Sequence, residues 1–250
     1  MDILLHGAAG RMGRIVAETI ENGASDLRLA GCVDPLFETD PAQGLYANLA
    51  AYEGPADVLI DFSSHLATEA VLAYCLWRRL PAVIAPTGQT EAELAAIREA
   101  AREIPLFLSA NMSIGVAVVA DLARRAAAAF PEADIEIIER HHNQKLDVPS
   151  GTALLLARRI SEARPGAELV IGRHENGKRA PGSIGIHSLR YGSEVGTHEI
   201  LISTGRETIT LKHEAENRAL FADGALVAAR FLVGKQPGLY DMRDILAEEA

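Results

Sequence analysis

The sequence predicts an α/β protein in two parts. The first is a doubly wound parallel sheet; the second is an α+β unit built on an open mixed sheet. Three observations carry this. Up to about residue 111, short apolar runs alternate with helix-like stretches of roughly a dozen residues, the pattern of strand–helix–strand crossovers. A glycine-rich turn follows the first run directly. Beyond residue 184 the alternation gives way to consecutive strand-like runs with one apolar face, which suits a mixed sheet with a free side.

The elements follow in order. Ile3–Leu5 is a short buried strand, and His6-Gly-Ala-Ala-Gly-Arg-Met-Gly13 turns from it into a helix over Arg14–Ile20. In the dinucleotide fingerprint register, Ala8, Gly10 and Gly13 take the three glycine places, where bare backbone admits a pyrophosphate and lets helix pack on strand. A strand over Leu27–Val33 ends at Asp34, 21 positions after Gly13, where an acidic residue can hold ribose hydroxyls. Asp34-Pro35 can equally begin a plain turn. Phe37–Tyr52 is expected to be a loop with one short helix. Strands over 57–63, 81–85 and 104–108 alternate with helices over 66–80 and 91–103. Gly7–Gly13, Asp34, Phe62–Ser63, Thr87–Gly88 and Ser109–Met112 all fall at carboxyl ends of strands, where such sheets bind ligands. Asn111 has a second reading, as a cap for the helix Val116–Phe130.

The densest chemistry lies in Glu139-Arg-His-His-Asn-Gln-Lys-Leu-Asp-Val-Pro-Ser-Gly-Thr-Ala153. A strand over 134–138 leads into it. A helix beginning near Thr152 leads out, with Ser150 at the N-cap position. Ser150-Gly151-Thr152 at a helix start offers free N–H groups, hydroxyls and a positive dipole end, a seat for a carboxylate or phosphate. Two readings are open: a solvated basic loop before an ordinary capped helix, or a site in which His141, His142 and Lys145 surround a bound anion. Lys145 and the anion seat favour the site, expected to lie in one short surface loop. No metal is expected, because adjacent histidines diverge and no Cys or third His stands at ligand spacing. Strand-like runs follow over 184–190, 198–203 and 207–213, then a helix over 221–232. His187, His198 and His213 are expected to be strand residues rather than ligands.

Bulk properties exclude several classes. With 24 basic and 34 acidic residues the net charge is −10, against a general nucleic-acid binder. Two cysteines, Cys32 and Cys75, imply no disulfide framework. Neither a secretion signal nor a membrane span is visible, so no membrane partner and a cytoplasmic location are expected.

The 139–153 stretch resembles the pattern E-x-H-H-x-x-K-x-D-x-P-S-G-T-A of the 4-hydroxy-tetrahydrodipicolinate (dihydrodipicolinate) reductase family, and every fixed position is met. Gly7-x-x-Gly10-Arg-Met-Gly13, Asp61-Phe-Ser, Ser109-Ala-Asn-Met-Ser-Ile-Gly115, Arg190-x-Gly192 and Gly238-Leu-Tyr-Asp-Met-Arg-Asp-Ile-Leu246 also resemble family segments. Ala85-Pro86-Thr87-Gly88 stands where the family usually writes Gly-Thr-Thr-Gly.

The resemblance implies a Rossmann-like dinucleotide-binding domain over 1–111 and 218–250. It assigns 112–217 to substrate binding and oligomerisation, as a homotetramer. It implies NAD(P)H-dependent reduction of 4-hydroxy-tetrahydrodipicolinate with loss of water, on the diaminopimelate route to lysine. His141 and Lys145 would be the catalytic pair. His142, Lys145, Ser150, Gly151 and Thr152 would bind the small dicarboxylate substrate. Gly7, Ala8, Ala9, Gly10, Arg11, Met12, Asp34, Phe62, Ala85, Pro86, Thr87, Ser109, Ala110, Asn111 and Met112 would bind the cofactor. Many relatives place Arg after the acidic residue; Pro35 here favours NADH over NADPH. The rival readings are another nicotinamide-dependent oxidoreductase of an amino-acid-like substrate and a non-enzymatic dinucleotide sensor. The latter would be expected to lose His141 or Lys145.

Overall fold

The computed structural model describes residues 1–23 and 26–248. In chain order the elements are β1 (Asp2–His6), α1 (Arg11–Gly23), β2 (Arg28–Val33), β3 (Leu45–Tyr46), β4 (Val58–Asp61), α2 (Thr68–Arg78), β5 (Ala82–Ile84), α3 (Glu91–Ala100) and β6 (Pro105–Leu108). There follow α4 (Ile114–Ala129), β7 (Asp134–His141), α5 (Gly151–Glu162), β8 (Leu169–Ile171), β9 (Ile184–Arg190), β10 (Gly196–Ser203) and β11 (Thr208–Ala215). The chain closes with α6 (Ala219–Leu232), β12 (Gly238–Tyr240) and α7 (Met242–Glu248). Two compact units result: Met1–Ser113 with Arg218–Ala250, and Ile114–Asn217.

The first unit holds a seven-stranded parallel sheet in the order β12-β6-β5-β4-β1-β2-β3. Its central strands are buried on both faces, so β1 and β4 carry nearly unbroken apolar runs, Ile3-Leu-Leu5 and Val58-Leu-Ile60. Each such side chain, fully buried, contributes about 1.5–3 kcal/mol. Helix α1 turns Gly13, Val16 and Ile20 inward at helical spacing. Thr90 and Glu93 close a capping box at the start of α3. Strand order reverses between β1 and β4, so the loops after these two strands lie side by side.

The second unit holds a mixed sheet in the order β11-β10-β7-β9-β8, with β9 parallel and β10 antiparallel to β7. Odd residues of β7 face the core, where Ile135 and Ile137 meet Ile184, Ile186, Ile200 and Ile202. Ala123, Leu156 and Ile160 of α4 and α5 pack against them.

One element departs from expectation. The loop over 37–52 contains, besides a 3-10 turn at Leu49–Ala51, the edge strand β3. Two residues are too few to show alternation; the strand exists because Cys32 and Val33 pair with Leu45 and Tyr46. The C-terminal segment splits into β12, which pairs with β6, and α7.

Helix α6 packs on β4, β5 and β6, and its Gly224 lies so close to the Met112 backbone that a Cβ would stand 1.7 Å from the Met112 carbonyl oxygen. Gly→Ala within a helix ordinarily stabilises by about 1 kcal/mol. Gly224→Ala is expected to do the reverse, destabilising by about 1–3 kcal/mol or more because backbone must move. Denaturant unfolding checks the sign.

Candidate functional site

In the first unit the predicted cofactor residues converge at the carboxyl edge of the sheet. Gly7 has φ +78°, and a Cβ there would come within 2.6 Å of the Ser63 nitrogen, so the loop after β1 rests directly on Phe62–Ser63. A Cβ on Gly13 would meet the Gly7 carbonyl oxygen at 2.2 Å, which fixes how closely α1 approaches the turn. Gly10 closes the turn: its N–H donates to the Gly7 oxygen, and its own oxygen accepts from Arg14. Asp34 is buried; its Oδ2 accepts from the Ala9 N–H at 3.1 Å and its Oδ1 from the Leu36 N–H at 3.0 Å. Beside them the Ala85 N–H donates to Asp61, and the Ser109 N–H to Ile84. Asn111 Oδ1 accepts from Ser113 N–H just ahead of α4. A side-chain-free cradle at a helix start, with a buried carboxylate at the next strand end, fits a dinucleotide.

In the second unit β7 runs on to His141, so Glu139 and His141 lie two residues apart on its buried face. Glu139 is fully buried and accepts from four groups. Arg190 donates to both oxygens at 2.7 and 2.8 Å, the Ser150 N–H to Oε1 at 3.1 Å, and His141 Nδ1 stands 2.5 Å from Oε2. Burial alone would raise its pKa, but hydrogen bonds from His141, Arg190 and the Ser150 N–H hold the carboxyl far below the usual range. An ionised Glu139 only accepts, so His141 carries its proton on Nδ1.

Ser150 caps α5 by accepting from Ala153 N–H at 3.1 Å, and its Oγ lies 3.0 Å from His198 Nε2. The His198 ring meets the His141 ring edge-on, centroids 5.2 Å apart. Lys145 Nζ pairs with Asp147 at 2.8 Å. Burial opposes ionisation of Asp147, but hydrogen bonds from Lys145 and the Gly151 N–H keep its carboxyl below its ordinary value. A carboxylate of the chain's own thus sits on the helix-start seat. Arg190 also donates to the Asp147 carbonyl at 2.7 Å, tying the loop to the sheet. Glu139, His141 and His198 lie close enough to share an ion, but Arg190 already occupies both Glu139 oxygens with a fixed cation.

Comparison with known proteins assigns the chain as a whole. The family models described as dihydrodipicolinate reductase, N-terminus and C-terminus, match residues 1–112 and 115–246. The chain belongs to the dihydrodipicolinate reductase family. It is 42% identical to the 4-hydroxy-tetrahydrodipicolinate reductase of Caldanaerobacter subterraneus subsp. tengcongensis, over 98% of this chain and 97% of that one. With its Clostridium tetani counterpart it shares 40% identity over 96% and 94%. Among solved structures, a dipicolinate-bound dihydrodipicolinate reductase from Paenisporosarcina sp. TG-14 superposes with a TM-score of 0.79 at 26% identity, covering 96% of this chain and 97% of that one.

Within this reductase fold, the structure corrects one expectation. His141 is not in a surface loop; it ends β7 and is only 7% exposed, because the strand continues three residues past Ile138. Truncating it would remove a buried hydrogen bond and is expected to lower the unfolding midpoint. Lys145 does lie in the loop, Thr152 is half-buried in the first turn of α5, and Gly151 is exposed. His187, His198 and His213 are strand residues as expected, in β9, β10 and β11. Sequence reasoning missed Glu139 and the His198–Ser150 contact. The period-two spacing of Glu139 and His141 could have flagged the first. The second depends on pairing His198 with Glu139 across β10 and β7.

Burial first, then the charge of His141, pushes His198 down to about 3 from its ordinary 6.5. Between those values the unfolded chain binds more protons than the folded one, so stability falls as pH drops through the window, by up to about 1.4 kcal/mol per pH unit. Glu139 adds to the loss below its ordinary 4.5, and His213, also lowered by burial, adds in the same sense as His198. His198→Gln is expected to flatten, without abolishing, the stability–pH curve between 4.5 and 6.5 in urea titrations.

Proposed function

We propose that this reductase converts 4-hydroxy-tetrahydrodipicolinate to tetrahydrodipicolinate with loss of water, using NAD(P)H, in the diaminopimelate route to lysine. The observation that carries the reading is His141 held by a buried, ionised Glu139 a few residues from Lys145 and the α5 helix start. The net reaction adds a hydride and a proton and releases water. The bound dinucleotide supplies the hydride. The protein's task is therefore to hold the dicarboxylate and deliver the proton.

His141 and Lys145 are the proton-transferring pair in this scheme. His142, Lys145, Ser150, Gly151 and Thr152 hold the substrate carboxylates. Asp147 already engages Lys145 and the Gly151 N–H, which supports the seat's taste for carboxylate. The dipicolinate bound to the Paenisporosarcina reductase supports the same ligand class. The turn Gly7, Ala8, Ala9, Gly10, Arg11 and Met12 would hold the dinucleotide, with Asp34 positioned to accept from its adenosine ribose hydroxyls. Phe62, Ala85, Pro86, Thr87, Ser109, Ala110, Asn111 and Met112 complete its contacts. NADH is favoured, because the Asp34 carboxylate accepts ribose hydroxyls but repels a 2′-phosphate, and Pro35 adds no cation.

The second unit is proposed to form a homotetramer. Helices α4 and α5 lie on one face of its sheet. On the other, Ile138 and Leu201 remain half-buried and Leu189 is 44% exposed, between the pairs Arg140–Glu199 and His187–Glu136. An apolar stripe rimmed by polar and charged pairs suits a symmetric interface. Sedimentation equilibrium should give a mass of four chains; a monomer at micromolar concentration would refute it.

Freshly made substrate should drive NADH oxidation, and NADPH should not exceed NADH in kcat/KM by more than about tenfold. His141→Ala is expected to lower kcat by about 10²–10⁴ with little change in dinucleotide affinity. Lys145→Ala should lower kcat and raise the substrate KM, since its ammonium faces a carboxylate. If both variants keep more than about half of wild-type kcat/KM, well outside the range for acid–base groups, the site assignment fails.

A further inference from the structure

The proposed proton carrier has two ring nitrogens, and the structure treats them differently. Nδ1 is 2.5 Å from Glu139, whose charge is locked by Arg190. Nε2 points at β10, towards Gly196, the residue preceding the Thr197–Arg140 register pair. A Cβ built on Gly196 would stand 2.8 Å from His141 Nε2 and 3.1 Å from Cδ2, and the three nearest atoms to it all belong to this ring. Gly196 has no positive φ, so its backbone does not demand glycine. The bare Cα is needed only because the ring edge occupies the space a methyl group would take.

We infer that Glu139 and Gly196 are positioning residues that select the working nitrogen of His141: Glu139 fixes the proton on Nδ1, and Gly196 keeps Nε2 clear to exchange a proton with substrate. The inference rests on the assignment of His141 as proton carrier and deepens it. The other charged and titratable groups facing this ring are consistent. His198 on β10 is held neutral, and Glu194 from the β9–β10 turn acts at longer range. None of them is hydrogen-bonded to Nδ1, so Glu139 alone sets the tautomer.

Substitution of Glu139 by Gln gives a specific outcome. Arg190 donates only, so it would claim the amide oxygen and leave the NH₂ group facing His141. Nδ1 would then have to accept, moving the proton to Nε2. The fully folded protein, labelled with ¹⁵N-histidine and assigned by comparison with His141→Ala, is examined by ¹⁵N NMR at a pH where His141 is neutral.

Wild type should show the Nδ1–H tautomer, and this measurement needs no variant to fold. Glu139→Gln should show Nε2–H and lose about 10²-fold or more in kcat, as tautomer inversion does elsewhere, with the substrate KM within about threefold. Gly196→Ala should keep the fold by circular dichroism. It should lose about 10-fold or more in kcat, because the methyl group displaces the ring edge from its Glu139-fixed position. A wild-type Nε2–H tautomer, or Gly196→Ala turnover within about threefold of wild type, overturns the inference while His141→Ala remains inactive. An active His141→Ala overturns the underlying assignment instead.

Discussion

A buried carboxylate is costly unless every one of its oxygens is engaged, and Glu139 meets that condition with donors from three separate segments. Arg190 reaches it from β9, the Ser150 N–H from the start of α5, and His141 from its own strand. Because the desolvation cost is offset only when all are present, the carboxylate specifies a geometry as much as it contributes stability. It fixes the ring orientation of His141, the start of α5 and, through the second Arg190 bond to the Asp147 carbonyl, the path of the loop bearing Lys145. The start of α5, the lysine and the histidine thus share one electrostatic anchor.

The neighbouring histidine shows how the same surroundings suppress charge elsewhere. His198 is pressed into the core against His141, and burial together with that neighbour keeps it neutral. Its contact with Ser150 links β10 to the cap of α5. Two imidazoles 5.2 Å apart between centroids therefore play different parts. One is tied to a carboxylate and can carry a proton; the other is a neutral hydrogen-bonding wedge.

In the first unit the constraint is steric. Gly7 and Gly13 are compelled by backbone atoms of Ser63 and of Gly7 itself, and the turn they form is braced by Asp34 through the Ala9 N–H. The carboxylate at the end of β2 thus holds the glycine turn after β1 in shape. Reversal of strand order between β1 and β4 makes this arrangement possible, since it leaves room above the sheet edge between diverging helices.

Local pattern made much of this protein legible from its sequence. The alternation of apolar runs and helical stretches gave the parallel sheet, the glycine spacing marked the turn after β1, and Ser150 announced the start of α5. These signals arise from the few residues that make each element. The tertiary structure alone decided the two-residue strand β3, which exists only by pairing with β2, and the burial of His141, which depends on β7 continuing into the polar run that follows Ile138. It also decided that Glu139 faces Arg190, 51 residues on, that Ser150 meets His198, 48 residues on, and that Gly196 lies against His141. Such contacts are set by strand register across a mixed sheet. A slip of one residue would turn every side chain to the opposite face, and no local sequence pattern specifies the register between distant strands.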